Sequence, residues 1–146
     1  MYGDGWKTPQ EELFRRCQAV QQHLLTEQID LAIIVQNADL FYLTGSIQQG
    51  MLLIPCSGEP VYCVRRDLAR ARVESTLSQV VAAPSPRQLA EFVREQFDLS
   101  PETLGMELDV LPVAFYERLK RPFGELPVKD VTPLLRRVRM IKSPFE

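Results

Sequence analysis

Two kinds of apolar pattern alternate along this chain: short continuous runs rich in β-branched residues, and longer stretches spaced for one face of a helix. Leu13, Cys17, Val20 and Leu24 recur at helical spacing with Phe14 beside them. This predicts a first helix that turns Arg15, Arg16, Gln18, Gln21 and Gln22 toward water. Thr8-Pro9-Gln10-Glu11 has the form of a capping box with proline in the first turn, and it predicts the start. Leu31 to Val35 is a β-branched apolar run, the pattern of a strand covered on both faces. Asn37 to Thr44 reads as a short helical or irregular turn closed by Gly45, and Met51 to Ile54 as a second buried strand. Turn residues from Pro55 to Pro60 then lead into Val61 to Val64, so strands two and three form a hairpin and the sheet is mixed.

Asp67 suits the N-cap of a charged helix running to about Thr76, and Gln79 to Ala83 is a fourth strand. Ser85-Pro86-Arg87-Gln88 is a second box, opening a helix with Leu89, Phe92, Val93 and Phe97 on one face. Thr103 to Glu107 is a fifth strand. Pro112 begins a helix with Val113, Tyr116 and Leu119 inward, and Leu126 to Lys129 is a sixth strand. Thr132-Pro133 starts a last helix with Leu134, Leu135, Val138 and Ile141 as its stripe and Arg136 opposite. Strands alternating with helices predict an α/β fold, a three-layer arrangement with helices on both faces of one mixed sheet of about six strands.

The 146 residues suit one domain, residues 1–146, able to bury roughly 70% of its unfolded surface without disulfides. A net charge of −2 gives no bulk positive field for nucleic acid or an anionic membrane. Cys17, Cys56 and Cys63 show neither C-x-x-C spacing nor a zinc-like grouping, and are expected to be reduced, buried thiols. No basic stretch precedes an apolar run at the N-terminus. The apolar runs, such as Leu31 to Val35, fall far short of the roughly 20 residues that span a bilayer, so a cytoplasmic protein is expected.

The chemistry is sparse. His23, the single histidine, sits on the flank of the first helix's apolar stripe and reads as a surface residue. No nucleophile elbow, P-loop or dinucleotide fingerprint is present. Asp30, Asp39, Asp109 and Asp130 fall at element ends, normal cap and turn positions rather than a rigid metal cluster. Arg136, Arg137, Arg139 and Lys142 read as a solvated helix face, favourable near a helix C-terminus. Ser143-Pro144-Phe145-Glu146 is a third box of the same form at which the sequence stops, suggesting a piece of a longer chain.

Taken in order, several segments resemble the N-terminal domain of the creatinase/prolidase family. They are Arg15 or Arg16 in the opening helix, Leu31 to Val35, and Asn37 through Tyr42-Leu43-Thr44-Gly45. Next come Leu52-Leu53-Ile54-Pro55 with Gly58-Glu59-Pro60-Val61, then Leu104-Gly105-Met106-Glu107 with Asp109. Last is Asp130-Val131 leading to Leu135-Arg136-Arg137-Val138-Arg139-Met140-Ile141-Lys142-Ser143-Pro144-Phe145-Glu146. The resemblance implies a ribonuclease H-like α/β fold without nuclease activity, which mediates homodimerisation and covers the partner subunit's active site. It implies that Arg139, Lys142, Ser143 and Glu146 belong to the element joining this domain to a C-terminal catalytic domain. That domain would hold two divalent ions (Mn, Co or Zn), with no cofactor expected in the present residues. The loop after Tyr42-Leu43-Thr44-Gly45, namely Ser46, Ile47, Gln48, Gln49 and Gly50, is the implied substrate-rim or dimer loop. Creatinase-like members supply an arginine and an aromatic residue there. Neither is present here, which favours an Xaa-Pro dipeptidase or aminopeptidase parent. On structural grounds Tyr42 is expected to pack under the loop with its hydroxyl bonded, and Asn37 to cap the turn after the first strand. The rival reading is a free-standing protein-interaction or small-ligand-binding module of the same fold.

Overall fold

The computed structural model describes residues 7–142 and residue 145. Six α-helices and six strands follow along these residues: α1 (Gln10–Thr26), β1 (Leu31–Ile34), α2 (Asn37–Thr44), β2 (Gly50–Pro55), β3 (Val61–Val64), α3 (Leu68–Glu74), β4 (Val80–Ala82), α4 (Leu89–Phe97), β5 (Leu104–Met106), α5 (Val113–Lys120), β6 (Val128–Asp130) and α6 (Thr132–Met140). The strands form one sheet in the order β4-β3-β2-β1-β5-β6. β2 runs antiparallel to both neighbours, and every other pair is parallel. The tight connection after β2 permits only the hairpin with β3, while the parallel pairs use crossovers that contain helices.

Because successive strand residues point to opposite faces, β1 feeds two cores. Ala32 and Ile34 join Cys17, Val20 and Leu24 of α1, Leu40 and Leu43 of α2 and Leu134, Leu135 and Val138 of α6. Leu31 and Ile33 join Leu89 and Val93 of α4 and Leu119 of α5. The sheet is thus the middle of three layers, as the alternating pattern requires. Gly105 lets β5 lie close against Val131 and Ile29. A Cβ there would drive into the side chain of Val131 and crowd Ile29.

Local signals shift where tertiary contacts outweigh them. α1 begins one residue later than its box implies. Pro9 is extended at the N-cap, and the Thr8 carbonyl accepts from the Thr76 hydroxyl at 2.8 Å. Arg16 is buried rather than solvated, because Nε meets Glu12 at 2.8 Å and Nη1 donates to the Tyr42 carbonyl at 2.7 Å. Val113 at the first turn of α5 is exposed, leaving Leu119 as that helix's buried anchor. Ile141 is exposed too: α6 ends at Met140 and Ile141 is extended, so the stripe stops at Val138. Asp67 caps α3 as expected, accepting from the Arg70 amide at 3.1 Å.

Candidate functional site

The polar side chains that the fold gathers lie at the two ends of α2. At its N-terminal end the cap residue is Gln36, not Asn37, which is the exposed first helical residue and makes no side-chain cap. The capping is done from β5. Glu107, directly after that strand, accepts the amides of Val35 and Gln36 on Oε1, the latter at 2.8 Å. A carboxylate at a helix N-terminus satisfies otherwise orphaned donors. Burial nevertheless pushes the Glu107 carboxyl up to about 8, and the hydrogen bond and charge of neighbouring Asp39 add to the rise against the pull of the two amides. Asp39 is itself buried and takes Arg139 Nη1 at 3.0 Å.

Tyr42, one turn on, lies beneath Arg16, whose guanidinium carbon is 4.2 Å from the ring centroid, and Arg139 approaches the same ring at 5.8 Å. Such cation–π contacts are worth about 0.5–2 kcal/mol each. They tie α1, α2 and α6 together beside an open cleft of about 720 Å³ lined by Tyr42, Arg136, Arg139, Met140 and Lys142. The basic face of α6 is largely paired: Arg136 meets Asp109 at 3.0 Å, Arg137 meets Glu27 at 3.1 Å, and Arg139 meets Asp39. Lys142 is exposed, and Ser143 and Glu146 lie outside the described residues.

At the C-terminal end, Gly45 takes the left-handed conformation that closes the helix, with φ of 80°. The chain then enters the loop through Ser46 to Gln49. Thr44 Oγ1 donates to the Leu40 carbonyl at 2.6 Å and accepts the Ser46 amide at 3.0 Å. Ser46 is buried, and its hydroxyl donates to Glu74 Oε1 at 2.8 Å, which the Gln48 side-chain amide also reaches at 3.2 Å. The tyrosine whose hydroxyl holds the loop is Tyr62 of β3, not Tyr42: it donates to the Gln48 carbonyl at 2.7 Å. The Gln49 carbonyl accepts from the Arg65 amide at 2.7 Å. Ile47 is left 55% exposed on this pinned loop, with Phe41 of α2 and Val73 of α3 also largely exposed. The loop is therefore a rigid presenter of apolar surface.

Desolvation drives the Cys17 and Cys63 thiols up to about 12, far from nucleophile range. Asp30 and Asp130 do cap backbone amides, Asp30 those of Glu102 and Thr103 and Asp130 those of Leu108 and Thr132. Among the described residues no three His, Cys, Asp or Glu side chains converge as metal ligands, and no helix is long and apolar enough to cross a membrane.

Residues 16–141 match the family model for the creatinase/prolidase N-terminal domain. The chain belongs to that family. A curated relative, an uncharacterized hydrolase/peptidase of Sinorhizobium fredii, is 26% identical across 94% of this chain, which spans only 40% of the relative's length. A proline dipeptidase structure from Streptococcus pneumoniae is 25% identical with a TM-score of 0.74, over 86% of this chain and 98% of that one. The prolidase of Pyrococcus horikoshii shares the fold at 24% identity and a TM-score of 0.72, this chain covering 37% of it. The similar solved chains thus include one of about this size and one that continues well beyond it. Glu74 and Tyr62 are site residues that sequence reasoning did not single out, and Glu107 entered it only as the end of Leu104-Gly105-Met106-Glu107, with no role of its own. Only Glu107, a lone carboxylate closing an apolar strand, carried any local signal.

Proposed function

We propose that this domain is the non-catalytic N-terminal part of a cytoplasmic, metal-dependent Xaa-Pro dipeptidase or aminopeptidase. In a homodimer, the loop Ser46 to Gly50 would border the partner subunit's active site. The family match over residues 16–141 carries this reading. The finer part is supported by a loop fixed from Thr44, Tyr62 and Glu74 that turns Ile47 outward, as an element meeting another surface must. Two divalent ions held in a C-terminal catalytic domain would supply an activated water for the scissile amide carbonyl. This domain's own residues would position and cover.

The test is to assay the gene product carrying this domain, loaded with manganese, on Xaa-Pro dipeptides and on longer peptides with proline in second position. Residues 1–146 are assayed alongside. Hydrolysis by the whole product and none by residues 1–146 is expected, and Ile47→Asp in the whole product should weaken dimerisation and lower kcat/KM. Turnover by residues 1–146, or a metal-loaded whole product inert toward both peptide classes, overturns the reading.

A further inference from the structure

Two large apolar side chains stand on the solvent side of α1. Phe14 is 49% exposed and Leu25 60% exposed, although α1 already buries Leu13, Cys17, Val20 and Leu24 in the interior. They lie about three turns apart, so they share one face of the helix along a line of about 16 Å. Beside that line the β2–β3 turn forms a wall. Gln21 Nε2 donates to the Pro55 carbonyl at 2.9 Å and to the Gly58 carbonyl at 2.7 Å, which fastens the turn to the helix. Between helix and wall run two adjoining hollows of about 350 and 520 Å³ that share Phe14 and Glu59, and the larger extends to Leu25 and Cys56. Their concave form and size are those of a ligand site.

The smaller hollow combines an apolar lining, Phe14, Pro60 and Leu77, with two acids, Glu11 and Glu59. Ser78 Oγ donates to Glu59 Oε1 at 2.8 Å and so holds that carboxylate in place. Among the described residues no Lys, Arg or His pairs with either acid, and no cation lines either hollow. An apolar stem ending in a cation matches this chemistry: the methylenes of a lysine or arginine lie along the Phe14 ring while the charge reaches the carboxylates. The larger hollow is neutral, with the side-chain amides of Gln18 and Gln22 on the way to Leu25. Such amides both donate and accept, as a peptide backbone requires. The distance from Phe14 to Leu25 takes about five extended residues. We propose that this groove docks an extended segment of a partner protein, with a lysine or arginine between Glu11 and Glu59 and an apolar residue about four positions away against Leu25. The groove shares no residue with the loop Ser46 to Gly50, so its test is separate from that of the peptidase reading.

The probe is the peptide acetyl-Lys-Ala-Thr-Ala-Leu-amide, titrated into the nitrogen-15-labelled chain while amide shifts are followed. Saturable shifts are expected in α1 and in the turn from Cys56 to Glu59, with α5 and α6 unmoved. Glu11→Gln combined with Glu59→Gln, both at exposed positions, should weaken binding roughly fivefold, and high salt should narrow that difference. Leu25→Ser should weaken binding from the other end, and unshifted α5 and α6 amides in each variant confirm that it is folded. A probe with glutamate in place of lysine should not bind. No saturable shift, shifts confined to another surface, or equal binding of the glutamate probe overturns the proposal. So does movement of the same amides with chain concentration alone, which makes a second copy the occupant. Binding that emerges only after residues 1–6 are removed overturns it as well, because the chain's own N-terminus is then the occupant.

Discussion

At one end of α2 a fully buried glutamate, Glu107, has its carboxyl pushed up to about 8 by burial, with Asp39 adding to the rise. At the other, Glu74 is surrounded by donors and is held below the ordinary glutamate value. Burial acts upward on both and leads among the influences on each. At Glu74 the hydrogen bonds from Ser46, Gln48 and Arg70, with the Arg70 charge, outweigh it; at Glu107 Asp39 reinforces it. What separates the two is the sign of the neighbours. The buried acid takes the backbone amides that open α2, while the loop end is fixed by hydroxyl, amide and guanidinium donors around one acid. The first suits a junction between helix and sheet, the second a loop that must keep its shape.

The largest effect should come from the loop end's backbone. A Cβ on Gly50 would collide with the Cys63 carbonyl across the β2–β3 pair, where neither strand can retreat without breaking register. A Cβ on Gly105, two residues before Glu107, meets the Val131 and Ile29 side chains, which can shift. Gly50→Ala is expected to cost more than about 3 kcal/mol and Gly105→Ala about 1–3 kcal/mol in denaturant titrations. The reverse order would show that the loop end is the more deformable of the two.

Next in size is the removal of each acid. Glu107→Ala strands the Val35 and Gln36 amides and should cost about 2–3 kcal/mol at neutral pH. Glu74→Ala leaves the buried Ser46 hydroxyl beside the Tyr62 hydroxyl at 3.4 Å and the half-buried Gln48 amide open to water, and should cost about 1 kcal/mol. Equal losses by thermal melting would erase the contrast between the ends.

Most of the fold was legible because β1 to β4 are apolar runs and the longer helices carry a stripe, so periodicity separates them. The polar contacts were not, because their partners are remote in sequence. Asn37 looked like a cap, yet Glu107 performs that task through the β1–β5 register that sets Met106 opposite Ile33. Arg16 belongs to the polar side of α1 by spacing, but the end of α2 arrives above it and supplies the Tyr42 carbonyl. Tyr62 reads as one more apolar strand residue, and nothing local announces that its hydroxyl reaches Gln48. Ser46 to Gln49 were picked out by their place after Tyr42-Leu43-Thr44-Gly45, whereas Glu74, the acid that organises them, comes from a helix whose sequence shows only charge.

Tyr62→Phe isolates the loop end's neutral hydrogen bond, because the ring stays in the core and only the hydroxyl goes. A loss of about 1 kcal/mol is expected, with faster exchange confined to the amides of Ser46 to Gly50. Exchange spreading into α6 would mean that the two ends are one cooperative unit.

The smallest effect lies in the Glu74 surroundings. The Arg70–Glu74 pair is an exposed one-turn ion pair at 3.0 Å, so Arg70→Ala should cost about 0.3–0.5 kcal/mol and less in high salt. Its value is in the pH sign. A glutamate held below its ordinary value stabilises the fold above that value and loses the contribution as pH falls through the folded one. Acid should therefore loosen the loop, while the same acid leaves the Glu107 proton in place. Loop amides in wild type should exchange faster below about pH 4.5 after intrinsic correction, and Glu74→Gln should blunt that rise because its side chain has no charge to lose. If acid instead released the N-terminal end of α2 first, the Asp39–Arg139 ion pair would be what holds it.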